Sequence, residues 1–131
     1  MEDGEYNLLR TRAATCPFFI LPVRREGGHF VLLAQWQDNV CLFTFLEEYK
    51  QNPHGAEPWA AMTMYNELVP THRMALSRFD YNPLKMSKVE AKRLMELIRV
   101  YYVQGNQYQM VEDFNHRPDH FDFERHLREC E

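Results

Sequence analysis

His116 and His120, four residues apart, are the pair whose types and spacing most directly suggest chemistry. On one helix they would present both imidazoles to the same side, as zinc ligands require. Pro118 stands between them and lacks the backbone donor that a continuous helix needs, so the expectation is surface or turn-forming histidines and no metal. Three cysteines, Cys16, Cys41 and Cys130, are an odd number without CxxC or Cys/His ligand spacing, which suits a reducing compartment better than a disulfide scaffold. Cys41 lies within an apolar run and reads as a small buried hydrophobe. Cys16 precedes Pro17 and has no activating cation or paired histidine near it in sequence.

The remaining templates for catalysis are missing. The chain has no G-x-S-x-G, no P-loop and no G-x-G-x-x-G, and Gly27-Gly28 reads as a hairpin turn rather than a phosphate cradle. With no nucleophile and base, no metal set and no cradle, no catalytic, cofactor or metal residue is assigned. Binding is what remains. Trp36 at a strand end and Trp59 after a proline-rich loop can protrude toward a partner, and Trp and Arg dominate interface hot spots, which adds Arg24 and Arg25. The opposing reading makes each tryptophan a plug at one end of the core. Asn115 and Arg117 suit a rigid turn, because an Asn side chain mimics backbone and a guanidinium can tie several carbonyls. Asp113, Asp119 and Asp122 beside His116, Arg117 and Arg125 form either a docking corner or local ion pairs, each worth about 0–1 kcal/mol when exposed. The candidate partner-binding residues are therefore Arg24, Arg25, Trp36, Trp59, Asn115 and Arg117.

These residues need elements to position them. Tyr6–Ala14 predicts a short helix stopped by Pro17. Phe18–Val23, His29–Trp36 and Val40–Phe45 are aromatic and branched runs separated by turns, hence three strands of an antiparallel meander. Thr44–Tyr49 passes to helical spacing with Thr44 near the cap, and Gln51–Pro58 is a loop. Trp59–Tyr65 is balanced between helix and strand. Asn66–Val69 reads as one helical turn closed by Pro70, and Met74–Asp80 as a strand near a sheet edge. Ser87 with Glu90 makes a capping box, opening a helix over Ser87–Val103 that turns Ala91, Leu94, Met95, Ile98, Tyr101 and Tyr102 inward. Gly105-Asn106 ends it. Gln107–Phe114 alternates and predicts a strand interrupted by Glu112 and closed by Pro118; Phe121–Glu131 predicts a last helix with Phe123 and Leu127 inward. The fold class is α+β, a twisted, mainly antiparallel sheet of five or six strands with helices packed on it. Helices on one side only would leave an apolar sheet surface open.

At 131 residues with 45% apolar and 14% aromatic content, the chain suits a single ordered domain over 1–131 with a core of its own. Its formal charge of −4 opposes nonspecific nucleic-acid binding. Lys88, Lys92 and Arg99 share a helix side and read as a solvated face. No apolar run approaches the length of a membrane span, so no membrane insertion is expected.

The stretch Ser87–Pro118, ending in Phe114-Asn115-His116-Arg117-Pro118, is the most distinctive. Taken with Cys16-Pro17-Phe18-Phe19, Pro22-Val23-Arg24-Arg25, Gly28-His29-Phe30, Gln35-Trp36 and Phe43-Thr44-Phe45-Leu46-Glu47-Glu48-Tyr49, it resembles the Atp11 family, the mitochondrial assembly factors for the F1 part of ATP synthase. The resemblance runs from about Tyr6 to the end and tips Trp59–Tyr65 toward a strand. It implies a chaperone and no enzyme: a factor that binds the unassembled β subunit of F1, prevents its aggregation and hands it to the α subunit in the mitochondrial matrix. A monomer without cofactors is expected. Family members carry an import sequence and a helical segment ahead of this region, whereas this chain begins Met1-Glu2-Asp3-Gly4-Glu5, acidic where a transit peptide is rich in Arg and Ser. The expectation is the family's core region, as a fragment or a short natural form. Rival readings are a stable adaptor or subunit of a complex, separable by stoichiometric retention in it, and a small-ligand-binding or enzymatic domain, favoured by a copurifying cofactor.

Overall fold

The computed structural model describes residues 1–104 and 107–130. Its strands are β1 (Phe18–Arg25), β2 (Gly28–Gln37), β3 (Val40–Phe45), β4 (Ala60–Tyr65) and β5 (Leu76–Tyr81), paired in chain order and antiparallel throughout. The β1–β2 hairpin closes at Arg25↔Gly28 around Glu26-Gly27, where Gly27 takes a φ of +82° that a residue without Cβ reaches at no steric cost. The sheet has five strands and the α+β class holds.

Helices α1 (Asp3–Thr15), α2 (Leu46–Gln51), α3 (Val69–His72), α4 (Lys88–Tyr102), α5 (Tyr108–His116) and α6 (Phe123–Glu129) complete the fold, with a 3-10 turn at Pro118–His120. The capping box forms as expected. Ser87 Oγ accepts from the Glu90 amide at 3.1 Å, and the Glu90 carboxylate accepts from the Ser87 amide at 2.8 Å, so two donors with no helical partner are satisfied together. Below this cap α4 buries Ala91, Leu94, Leu97, Ile98, Tyr101 and Tyr102, and Met95 stays half-buried.

Strand pleat divides the sheet into two unlike faces. Phe19, Ala34, Phe43 and Ala60 are successive cross-strand partners, and Leu21 faces Leu32; all six are buried in one cluster with Tyr6, Leu9 and Ala13 of α1, the inner side of α4 and Met110 and Val111 of α5. On the second face the row Ile20, Leu33 and Thr44 is buried, yet Phe18, Tyr65 and Leu76 are 43%, 36% and 50% exposed, with Val40, Leu42 and Ala61 half-buried between them. Helices α1, α4 and α5 thus close one face and leave much of the other open.

Several local expectations are overturned. Gln107–Phe114 is not a strand: Tyr108–His116 is α5, because Val111, fully buried, takes the inward place that the alternating reading gave to no residue, and Glu112 was the sign of the wrong period. Thr44 does not cap α2; it lies buried in β3, and Phe45 stands at the cap position without a side-chain bond. Pro70 opens α3 rather than closing a turn, as proline does where the first-turn N–H has no partner anyway. Pro118 likewise begins the 3-10 turn after α5. In α6 the inward side chain is His126, joined by Cys130 just past the helix end, while Phe123 and Leu127 are half-buried. The expected helix end at Gly105-Asn106, and Glu131 of the last helix, lie outside the described residues.

Candidate functional site

The hairpin end of the sheet gathers charge and aromatic rings at one corner. Arg25, at the end of β1, meets the α4 cap, its Nε 2.7 Å from Glu90 Oε2 and its Nη2 donating both to Glu90 Oε1 at 3.1 Å and to the Lys85 carbonyl. The guanidinium also lies 4.2 Å over the Phe30 ring. Phe30 leads to Trp59 at 5.6 Å, and Trp59 stacks on Phe45 with centroids 4.8 Å apart and planes 16° from parallel. Lys85 Nζ stands 5.8 Å from the Trp59 ring, a second cation on the same aromatic row. Hydrogen bonding from Arg25 holds the Glu90 carboxyl below its ordinary range. Arg24 is exposed and lines a separate groove between β1 and α4 with Pro22, Val89 and Arg93. The structure therefore unites Arg25 and Trp59 through Phe30, which sequence reasoning missed together with Phe45, Lys85 and Glu90.

At the opposite end Trp36 and Asn115 are engaged within the fold. Trp36 is 8% exposed, packed edge-on against Tyr102 at 6.0 Å. Asn115 acts as a substitute strand neighbour: its Oδ1 accepts from the Phe18 amide at 3.0 Å, and its Nδ2 donates to the Phe18 carbonyl at 2.5 Å and to the Val111 carbonyl at 2.8 Å. His116 adds a 3.0 Å bond from its Nε2 to the Thr15 carbonyl. Arg117 ties no set of carbonyls; its Nε pairs with Asp113 Oδ1 at 3.1 Å, and the guanidinium is half in solvent. The pentapeptide thus pins α5 to the start of β1.

Asn115 is one part of a blocked edge. In β1 the residues Phe18, Ile20 and Pro22 turn their backbone polar groups away from β2, since Trp36 N bonds to the Pro17 carbonyl and the alternate residues share that side. Asn115 takes both groups of Phe18, His126 Nε2 lies 2.7 Å from the Ile20 carbonyl, and Pro22 has no N–H to offer. Pro22 inside an apolar strand was the legible signal, because proline confines a strand to an edge. Asn115→Ala is expected to remove about 1–2 kcal/mol of stability, measured by urea unfolding, and to leave the Phe18 groups open to another strand.

The titratable groups of the interior favour packing over reactivity. Burial raises the thiol pKa of Cys16, Cys41 and Cys130, Cys41 most clearly, which keeps them protonated and weakly nucleophilic near neutrality. No group of three or more His, Cys, Asp or Glu suited to a metal exists among the described residues. His116 ends α5 and His120 sits in the 3-10 turn, so the two do not share a helix face.

A family model described as ATP11 protein matches residues 1–127. "ATP synthase mitochondrial F1 complex assembly factor 1" of Mus musculus is 25% identical over 129 residues, which is 97% of this chain and 40% of that protein. The Homo sapiens protein of the same description is 24% identical over 129 residues, 97% of this chain and 39% of its own. The Danio rerio protein is 23% identical over 123 residues, 91% of this chain and 40% of its own. The chain spans about two-fifths of the length of these curated relatives.

Proposed function

The chain belongs to the ATP11 protein family, and from that premise we propose that it is an assembly chaperone for the F1 part of ATP synthase. The observation that carries the reading is the match over residues 1–127 together with relatives described as mitochondrial F1 complex assembly factors. Its client is the unassembled β subunit, its place the mitochondrial matrix and its working form a monomer without cofactor. It makes or breaks no bonds in the client.

The geometry supports a passive holder. Phe18, Leu42, Tyr65 and Leu76 lie on the sheet face that α1, α4 and α5 leave open, where they offer separate apolar contacts to a client. At the hairpin end, Arg24 and the Arg25–Phe30–Trp59–Lys85 row supply the aromatic and cationic anchors from which hot spots are built. Asn115 and Trp36 serve this surface by fixing the strands and helices that carry it. By mass action, a partner covering an exposed interface lowers the concentration of the aggregation-prone free subunit, and release follows when the α subunit competes for the same area.

Immobilised chain mixed with separately purified F1 α and β subunits is expected to retain β and not α, and to suppress light scattering from β alone. Arg24→Ala and Trp59→Ala each lower β retention about tenfold, the effect of losing one hot spot. Arg117→Ala acts through α5 and is checked by circular dichroism. Equal recovery of α and β rejects the assigned client.

A further inference from the structure

The two edges of the sheet are treated differently. Side chains of Asn115 and His126, and the missing donor of Pro22, occupy the β1 edge. At β5 the edge is taken only at its start, where residues 1–3 run antiparallel to residues 73–75: Ala75 N donates to the Met1 carbonyl at 2.7 Å, Asp3 N donates to the Arg73 carbonyl at 3.0 Å, and Glu2 faces Met74. Beyond Ala75 the outward groups are those of Ser77, Phe79 and Tyr81, because Asn82 N bonds to the Trp59 carbonyl and the same alternation makes Leu76, Arg78 and Asp80 the partners of β4. Among the described residues nothing pairs with them.

We propose that this edge receives an extended segment of the client as a sixth, antiparallel strand, continuing the line that residues 1–3 begin; the inference rests on the assembly-chaperone reading above. Main-chain bonds to Ser77, Phe79 and Tyr81 supply attachment, and the side chains on either face of the edge set what is accepted. On the helix-covered face a groove of about 220 Å³ lies beside Ser77, lined mainly by Met1, Met62, Met64, Met95 and Ile98, and the Glu96 and Arg99 that also border it are already paired, with Arg93 and Glu5. Unbranched thioethers adapt to aliphatic side chains of different shape, so the groove takes Leu, Ile, Val or Met without demanding one of them. On the open face Tyr65 and Leu76 are exposed, and Arg78 is neutralised by Asp80 at 3.0 Å, so no charged partner is called for. The segment is therefore uncharged and apolar at alternate positions.

A second copy of this chain is the weaker occupant. Six residues of edge bury far less than the roughly 1,200 Å² of a stable interface, whereas a client already resting on the adjoining open face adds the edge to a larger contact.

Amide hydrogen exchange of Ser77, Phe79 and Tyr81, followed in the chain alone and with isolated F1 β subunit, tests this. All three are expected to exchange rapidly in the free chain and at least tenfold more slowly in the complex. Ser77→Pro is expected to reduce β retention about tenfold with an unchanged melting temperature, since the N–H it removes makes no bond to β4. Retention of β with undiminished exchange at these amides overturns the strand-addition proposal and leaves the chaperone reading standing. Slowing in the free chain as its concentration rises assigns the edge to self-pairing and also overturns it. Failure to retain β at all removes both.

Discussion

Phe19→Ala is expected to lower the unfolding free energy by about 3–5 kcal/mol, read from the midpoint and slope of urea denaturation. Phe19 is fully buried in β1 and is the hub where three helices meet the sheet. Its ring centroid lies 5.2 Å from that of Tyr101 in α4, 5.9 Å from Phe114 in α5, 6.1 Å from Phe121 and 4.8 Å from His126 in α6. Truncation to Ala loses the transfer energy of the ring, and these four neighbours, three fixed in helices and Phe121 packed against Phe114 and His126, cannot close over the hole. Domains of this size are stable by about 5–15 kcal/mol in all, so the variant is left near its folding threshold. Phe19→Leu, which refills most of the volume, loses much less. A loss below about 1 kcal/mol for the alanine variant contradicts the packing described.

His126 gives the second large effect, with a pH signature of its own. The ring is fully buried; Nε2 sits 2.7 Å from the Ile20 carbonyl and Nδ1 3.2 Å from the Tyr101 hydroxyl, with Cys130 Sγ at 3.8 Å. A carbonyl only accepts, so Nε2 carries the hydrogen and Nδ1 accepts from Tyr101, an arrangement met by the neutral ring. His126→Ala leaves the Ile20 carbonyl and the Tyr101 hydroxyl unpaired in the interior and opens a void, for an expected cost of about 2–4 kcal/mol. Burial depresses the His126 pKa below 6.5, against the opposing influences of the Ile20 carbonyl and of Glu129. The unfolded chain therefore binds a proton that the folded chain refuses, and stability falls as pH drops below 6.5 until the depressed folded value is passed. Glu90, whose folded carboxyl is lowered by Arg25, withdraws its contribution further into acid, below its ordinary 4.5. In urea titrations at successive pH values, His126→Gln keeps a donor for Ile20 and removes the first of these declines. An unchanged slope between pH 7 and 5 in that variant would falsify the assignment to His126.

Much of the frame is legible in the sequence. Phe18–Val23, His29–Trp36 and Val40–Phe45 became the first three strands, and Ser87 with Glu90 opened α4, because alternation, turns and a capping box all act within a few residues. Segment 107–114 was not legible. A nine-residue helix spans too few turns for its period to stand apart from an alternation of Tyr108, Met110 and Phe114, and packing against α4 and β1 decides the outcome. The candidate site divides in the same way. Trp59 and Arg25 were marked by residue type, but the Phe30 ring that joins them was visible only once the hairpin had placed it.

The order of residues by itself determined the antiparallel meander, the capped helix and the absence of a recognisable catalytic motif, since each depends on neighbours along the chain. Tertiary structure alone decided which side chains face inward from α5 and α6 and which edge of the sheet is closed. His126 shows why: its burial requires the Ile20 carbonyl, 106 residues away, and no local pattern can state that a distant polar group will arrive. A buried imidazole is stable only when such a partner offsets its lost hydration, and that partner exists only in the folded chain.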